Sequence, residues 1–152
     1  MNGRRPLCVL DIEDVVVLEA PVMPVVRHTV TAYGRWRRDV LVPEVAPRKI
    51  RELAEVFDCL WMSGWAHSAH PALRAALDLP AEPWPWRAVQ FRKLPAIREL
   101  SDGRRWVWID DAIDDFGPQP DVPDGVLVRV DSRRGIADVD PAALARAVKT
   151  AG

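Results

Sequence analysis

Three short apolar runs, LCVL (7–10), CLWM (59–62) and WVWI (106–109), each stop on residues able to do chemistry: Asp11, Ser63 and the adjacent pair Asp110-Asp111. Apolar runs this short, rich in Val, Ile, Leu and Trp and cut off by polar groups, are the pattern of strands buried on both faces. Such strands belong to parallel sheets covered by helices, in which ligands bind beyond the carboxyl ends of the strands. This constrains the chain more than its composition does. Two adjacent carboxylates at a buried strand end also repel, so a cation, hydrogen-bond donors or solvent must sit beside them.

The segments between the runs carry the matching helical signals. In PRKIRELAEVF, Pro47 suits a first helical position, and Ile50, Leu53, Ala54 and Phe57 recur at helical spacing. HPALRAAL predicts a second helix and KLPAIREL, opened by Lys93, a third, with Pro95 tolerable in its first turn. DPAALARAVKT predicts a terminal helix with Asp140 as N-cap and Pro141 just inside. PVVRHTVTAYGRWRRDVLVP (24–43) alternates instead: Val26, His28, Val30 and Ala32, then a turn at Tyr33-Gly34-Arg35, then Val40 and Val42, which predicts a β-hairpin. GVLVRV (125–130) is a further strand, and the proline-rich LPAEPWPW (79–86) reads as a loop.

The expected fold is therefore α/β: a three-layer, Rossmann-like domain with a mainly parallel five-stranded sheet and a small β-hairpin flap. A chain of 152 residues buries one sizeable core, so residues 1–152 are expected to form a single domain with 19–46 as a minimal cap or flap. A net charge of −1 gives no global attraction to nucleic acid or anionic membrane. Cys8 and Cys59 lie in apolar runs and are too few for a disulfide framework, which predicts a reducing, cytoplasmic setting. The apolar run after MNGRRP is too short for a signal peptide, and no stretch reaches membrane-spanning length.

The candidate chemical groups follow in order: Asp11-x-Glu13, Ser63-Gly64, Lys93, and Asp110-Asp111. Carboxylates at one strand end can supply a nucleophile and a proton carrier, and acids on a neighbouring strand can hold a hard cation through oxygen. A serine followed by backbone N–H groups can hold a phosphoryl oxygen, and a lysine can offset charge as that group transfers. Together these make a phosphate-transfer site.

In VLDIEDV, LWMSGW, RKLPAI and VWIDD the chain resembles the haloacid dehalogenase (HAD) superfamily, mostly phosphatases, over residues 7 to 115. Each motif alone is weak; four in this order are not. The resemblance implies the HAD fold and a Mg²⁺-dependent phosphomonoesterase working through an aspartyl-phosphate. Asp11 would be nucleophile and metal ligand, and Glu13 the general acid/base, with its carbonyl on the metal. Ser63 and Gly64 would bind the phosphoryl group and Lys93 stabilise its charge, while Asp110 would ligate Mg²⁺ and Asp111 support that ligand.

Two departures stand out. Glu13 occupies the place of the usual second aspartate, and Asp14 a place commonly held by glycine. They leave open the alternative of a catalytically weak or inactive HAD-like binding or regulatory protein. A receiver domain of a signalling relay also uses strand-end acids and a lysine, but its lysine follows the last acid-bearing strand, whereas Lys93 precedes Asp110. The short flap implies an open entrance. Arg35, Arg37 and Arg38 on it could bind phosphates of a phosphorylated small molecule or a nucleic-acid end, the latter in keeping with a resemblance to small HAD domains associated with RNA repair. His67 and His70 share a helical spacing but find no third ligand, and read as a surface helix entry. Trp61, Trp106 and Trp108 read as core. Trp84 and Trp86 either pack a loop or offer a stacking surface, and Asp114 and Asp115 read as surface or helix-start charges.

Overall fold

The computed structural model describes residues 4–115, 117, 119 and 122–150. The chain runs β1 (Leu7–Leu10), β2 (Val25–Ala32), β3 (Trp36–Pro43), α1 (Ala46–Val56), β4 (Asp58–Met62), α2 (Ala69–Leu77), β5 (Trp86–Arg87), α3 (Lys93–Ser101), β6 (Trp106–Asp110), β7 (Gly125–Arg129) and α4 (Pro141–Thr150). Five strands form one sheet in the order β5-β4-β1-β6-β7, with every neighbouring pair parallel. The architecture is thus α/β with a five-stranded parallel sheet and, among the described residues, four helices in a Rossmann-like layout.

Side-chain alternation sorts the core into two layers. Leu7, Val9, Leu60, Met62, Trp106 and Trp108 point to one face and pack with Leu94 and Ile97 of α3. Cys8, Leu10, Cys59, Trp61, Val107 and Ile109 point to the other, against Ile50 and Leu53 of α1, Leu73 and Leu77 of α2, and Val148 of α4. A strand with period-two geometry and apolar residues at every position has no solvent face to offer, which is why helices cover both sides. Each such side chain contributes about 1.5–3 kcal/mol when fully buried.

The hairpin forms a separate two-stranded sheet, registered so that Val30 lies opposite Arg38 and Ala32 opposite Trp36. Tyr33 and Gly34 both have positive φ, the conformation that turns of this kind require, and the Arg35 N–H donates to the Ala32 carbonyl. Val30, Ala32, Val40 and Val42 are buried against the main core. Paired residues share a face, so Trp36 and Arg38 look toward the body of the protein and Arg37, opposite Thr31, looks away.

Several local expectations are revised. VVVL (15–18), which with LCVL flanks DIED and reads in the sequence with the first strand, is buried without forming a strand: the N–H groups of Val15, Val16 and Val17 all converge on the Ile12 carbonyl in a tight loop. The proline-rich stretch contributes the edge strand β5, paired to Trp61 and Met62. His70 is buried rather than at the surface, accepting from the Trp84 N–H at Nδ1 and donating from Nε2 to the Pro80 carbonyl. It fastens the loop that Trp84 packs against Trp61, ring centroids 4.9 Å apart, whereas Trp86 is exposed. Asp140 caps α4 as expected, accepting from the Ala143 N–H. Between β6 and β7, Ala112–Asp115 is tightly turned, with Asp114 paired to Arg129 through both oxygens. Residues 116, 118, 120 and 121 of that link, like 1–3 at the start of the chain, lie outside the described residues. No helix of the described residues is long and apolar enough to cross a membrane.

Candidate active site

Strands β4, β1 and β6 are adjacent and parallel, so the residues that follow them, Ser63, Asp11 and Asp111, together with Asp110 at the end of β6, come to one edge of the sheet. The Asp11 N–H donates to the Ile109 carbonyl, which continues the β1–β6 ladder one residue past the strand and fixes where its side chain starts. Helix α3 opens at the same edge with Lys93, preceded by Arg92 in a left-handed conformation (φ 52°). A cavity of about 700 Å³ is lined by Asp11, Ser63, Lys93 and Asp110 among others, with Asp111 outside its lining.

Lys93 is the electrostatic centre. Its side chain is 7 per cent exposed, and the ammonium sits 2.8 Å from Asp110 Oδ2, 3.0 Å from the Met62 carbonyl and 3.5 Å from Asp11 Oδ1. Two of its three hydrogens are donated, to Asp110 and to the Met62 carbonyl, and Asp11 meets it as an ion pair. Asp110 is correspondingly well occupied, with room left only on Oδ1: Oδ2 also accepts from the Trp108 indole at 3.1 Å, and Oδ1 accepts from the Ala112 N–H at 2.9 Å. Trp108 is therefore more than core filling. Asp111, the residue after Asp110, remains only partly buried.

Oxygens of Asp11, Asp110 and Asp111 lie within 4.8 Å of one another. Burial pushes the Asp11 carboxyl up to about 7, with Lys93 opposing the rise and Asp110 adding to it. Asp111 is pushed up to about 6, again by burial first and then by the charges of Asp110 and Asp14. Three carboxylates brought together beside one lysine leave excess negative charge in a half-dry place. An all-oxygen donor set of this kind fits a hard divalent cation, and nothing in it favours a soft metal.

The remaining expected residues divide. Ser63 is buried and lines the cavity, its Oγ accepting from the Trp65 N–H at 3.0 Å. Gly64 lines it too and is held by the Tyr33 hydroxyl, which donates to its carbonyl. A Cβ at Gly64 would stand 2.3 Å from Gln90 Nε2, the far end of an exposed, flexible side chain that can swing aside. Glu13 faces the cavity but stands apart from the acid triad: its Oε1 accepts from Arg38 Nη1 and from the Trp65 indole, both at 3.0 Å. Of the three flap arginines expected at the site, only Arg38 lines the cavity, and it is spent on Glu13. Arg37 faces the other side of the hairpin, and Arg35 sits at its turn, outside the cavity lining. Asp14 adopts φ 62°, a conformation that glycine takes freely and that aspartate tolerates better than most residues, which gives the glycine-like position a backbone reason. Its Oδ1 accepts from the Glu19 N–H, away from the cavity lining.

Sequence reasoning missed the rim. Tyr33, Trp36 and Phe91 line the cavity with their rings substantially exposed, and Trp65 lines it from within the fold. The available signal was the alternation in the hairpin, which puts Trp36 on the same face as Arg38. No protein-family model matches the chain, and no curated protein matches it.

Proposed function

We propose that this chain is a HAD-type domain acting as a Mg²⁺-dependent phosphomonoesterase, with the hairpin as its minimal cap. The observation that carries the reading is the convergence of Asp11, Asp110, Asp111 and the buried Lys93 at one sheet edge, beside Ser63. Asp11 attacks phosphorus and forms an acyl phosphate while the bond to the leaving oxygen breaks; that oxygen takes a proton from Glu13. Glu13 then accepts a proton from water as water attacks the acyl phosphate, which releases inorganic phosphate and restores Asp11. Lys93 and the Ser63 hydroxyl offset phosphoryl charge throughout. Asp11, Asp110 and Asp111 would hold the Mg²⁺, whose charge when bound favours the trigonal, highly anionic phosphoryl group. Because Asp110 is already committed to Lys93, Trp108 and Ala112, Asp111 is the freer ligand of the pair, an exchange of weight relative to the sequence expectation.

The exposed rings of Tyr33, Trp36 and Phe91 around a charged floor support a phosphorylated substrate that carries a flat ring, such as a nucleotide or a nucleic-acid end. The ion pair from Arg38 to Glu13 is the observation that favours the rival reading, a binding protein without turnover. Hydrolysis of p-nitrophenyl phosphate, with and without Mg²⁺, decides between them. Metal-dependent turnover that falls by orders of magnitude in Asp11→Asn is the expected result. Absence of turnover in a protein whose thermal stability still rises with Mg²⁺ would select the rival.

A further inference from the structure

The contact that ties Glu13 down also fixes which of its oxygens can carry a proton. Trp65 is buried, its backbone N–H is held by Ser63 Oγ, and its carbonyl accepts from Ser68 Oγ at 2.7 Å. The indole N–H is therefore a donor on a rigid loop, 3.0 Å from Glu13 Oε1. Arg38 donates to the same oxygen and lays its guanidinium over the Trp65 ring, 5.4 Å from the ring centroid. An oxygen that already accepts two N–H donors is a poor place for a proton. Oε2 receives no hydrogen bond from any described residue, and the glutamate lines the same cavity as Asp11 and Lys93.

We infer that Trp65 is a positioning residue: its indole N–H, seconded by Arg38, anchors Glu13 through Oε1 and presents Oε2 as the oxygen that exchanges a proton with the leaving group and with water. The inference rests on the phosphatase reading. It answers the difficulty raised by the longer side chain. An aspartate reaches its place through a short tether, whereas a glutamate gains a methylene and a rotatable bond, and here a fixed donor on the Ser63 loop removes that freedom. The same turn thereby sets both the phosphoryl-binding hydroxyl and the proton carrier.

The test compares two esters, because a p-nitrophenolate leaves without protonation and the alkoxide of glycerol 2-phosphate does not. Trp65→Phe keeps an aromatic ring and removes the N–H. It should lower kcat/KM, which reads the steps through departure of the leaving group, about tenfold or more on glycerol 2-phosphate and less than about twofold on p-nitrophenyl phosphate, whereas the shared hydrolysis of the acyl phosphate enters kcat for both. Trp65→Phe combined with Glu13→Gln should be no worse than Glu13→Gln alone. Equal losses on both esters, or additive losses in the double variant, would overturn the inference. A readout independent of turnover guards against a merely unstable variant. In ¹⁵N-labelled protein, the indole N–H signal absent from Trp65→Phe should shift in Glu13→Ala, and an unmoved signal in an active enzyme sinks the inference alone. Wild-type protein that hydrolyses neither ester with Mg²⁺ brings down the phosphatase reading, and the positioning role falls with it.

Discussion

The floor of the cavity and its hairpin roof both rely on ion pairs, and they use them in opposite ways. On the floor, Lys93 and Asp110 meet at 2.8 Å with side chains 7 and 2 per cent exposed; on the roof, Arg38 and Glu13 meet at 3.0 Å with about half of each side chain in solvent. Water screens the second pair, so its net worth is small, and Arg38 can give up Glu13 for another anion at little cost. The floor has no such freedom. Its charges were taken out of water together, and each depends on the other to remain there. A site built this way keeps its charged base fixed while the contacts above it adjust.

The largest effect expected from this contrast is on the floor. Asp110→Ala leaves the Lys93 ammonium buried without its principal partner and should destabilise the protein by about 3–5 kcal/mol in urea unfolding. A loss no bigger than that of a surface substitution would mean that the floor is wetter than its geometry implies. Next in size is a pH effect. Asp11 and Asp111 are raised from 3.8 to about 7 and about 6, so the metal-free native state holds protons that the unfolded chain releases. Their contribution is complete below about pH 4 and is lost as pH rises through about 6 to 7. The urea midpoint of metal-free protein should fall between about pH 5 and about pH 8, and on the proposed reading Mg²⁺, held by the deprotonated groups, should raise it more at the upper value. Mg²⁺ stabilisation that is equal at both pH values would break the link between the acid triad and the cation. The smallest effect is on the roof: a double-mutant cycle of Arg38→Ala with Glu13→Gln should give a coupling of about 0.2–1 kcal/mol. The same cycle with Arg37→Ala should give none, and a coupling there would contradict the face assignment of the hairpin.

Much of the floor was legible in the sequence because it depends on strand ends. A buried run such as LCVL or WVWI has few ways to lie, and parallel neighbours must present their following residues together. Asp11, Ser63, Asp110 and Asp111 could thus be grouped from spacing alone. The roof was less legible, since the choice between Arg37 and Arg38 turns on a hairpin register that is set by the turn and by which valines find the core. Trp65 was hidden for a different reason: an indole reads as core in a sequence, and only its N–H direction shows that it serves a carboxylate. His70 was misjudged because a ring nitrogen satisfied by the Trp84 N–H and the Pro80 carbonyl depends on a loop returning from ten residues or more away. Strand β5, only two residues long and preceded by Pro83 and Pro85, exists because β4 offers it an edge.

The order of strands in the sheet bears on how such a molecule is made. β1, which leads into Asp11, lies at the centre, between partners that emerge from the ribosome much later, β4 and then β6. Until Trp106–Asp110 is synthesised, one edge of β1 has nothing to pair with, and every contact that completes it spans a long stretch of chain. Non-local pairing of this kind is slow to form and leaves an apolar strand open to wrong partners in the meantime. A nascent chain halted before β6 should be a client for chaperones.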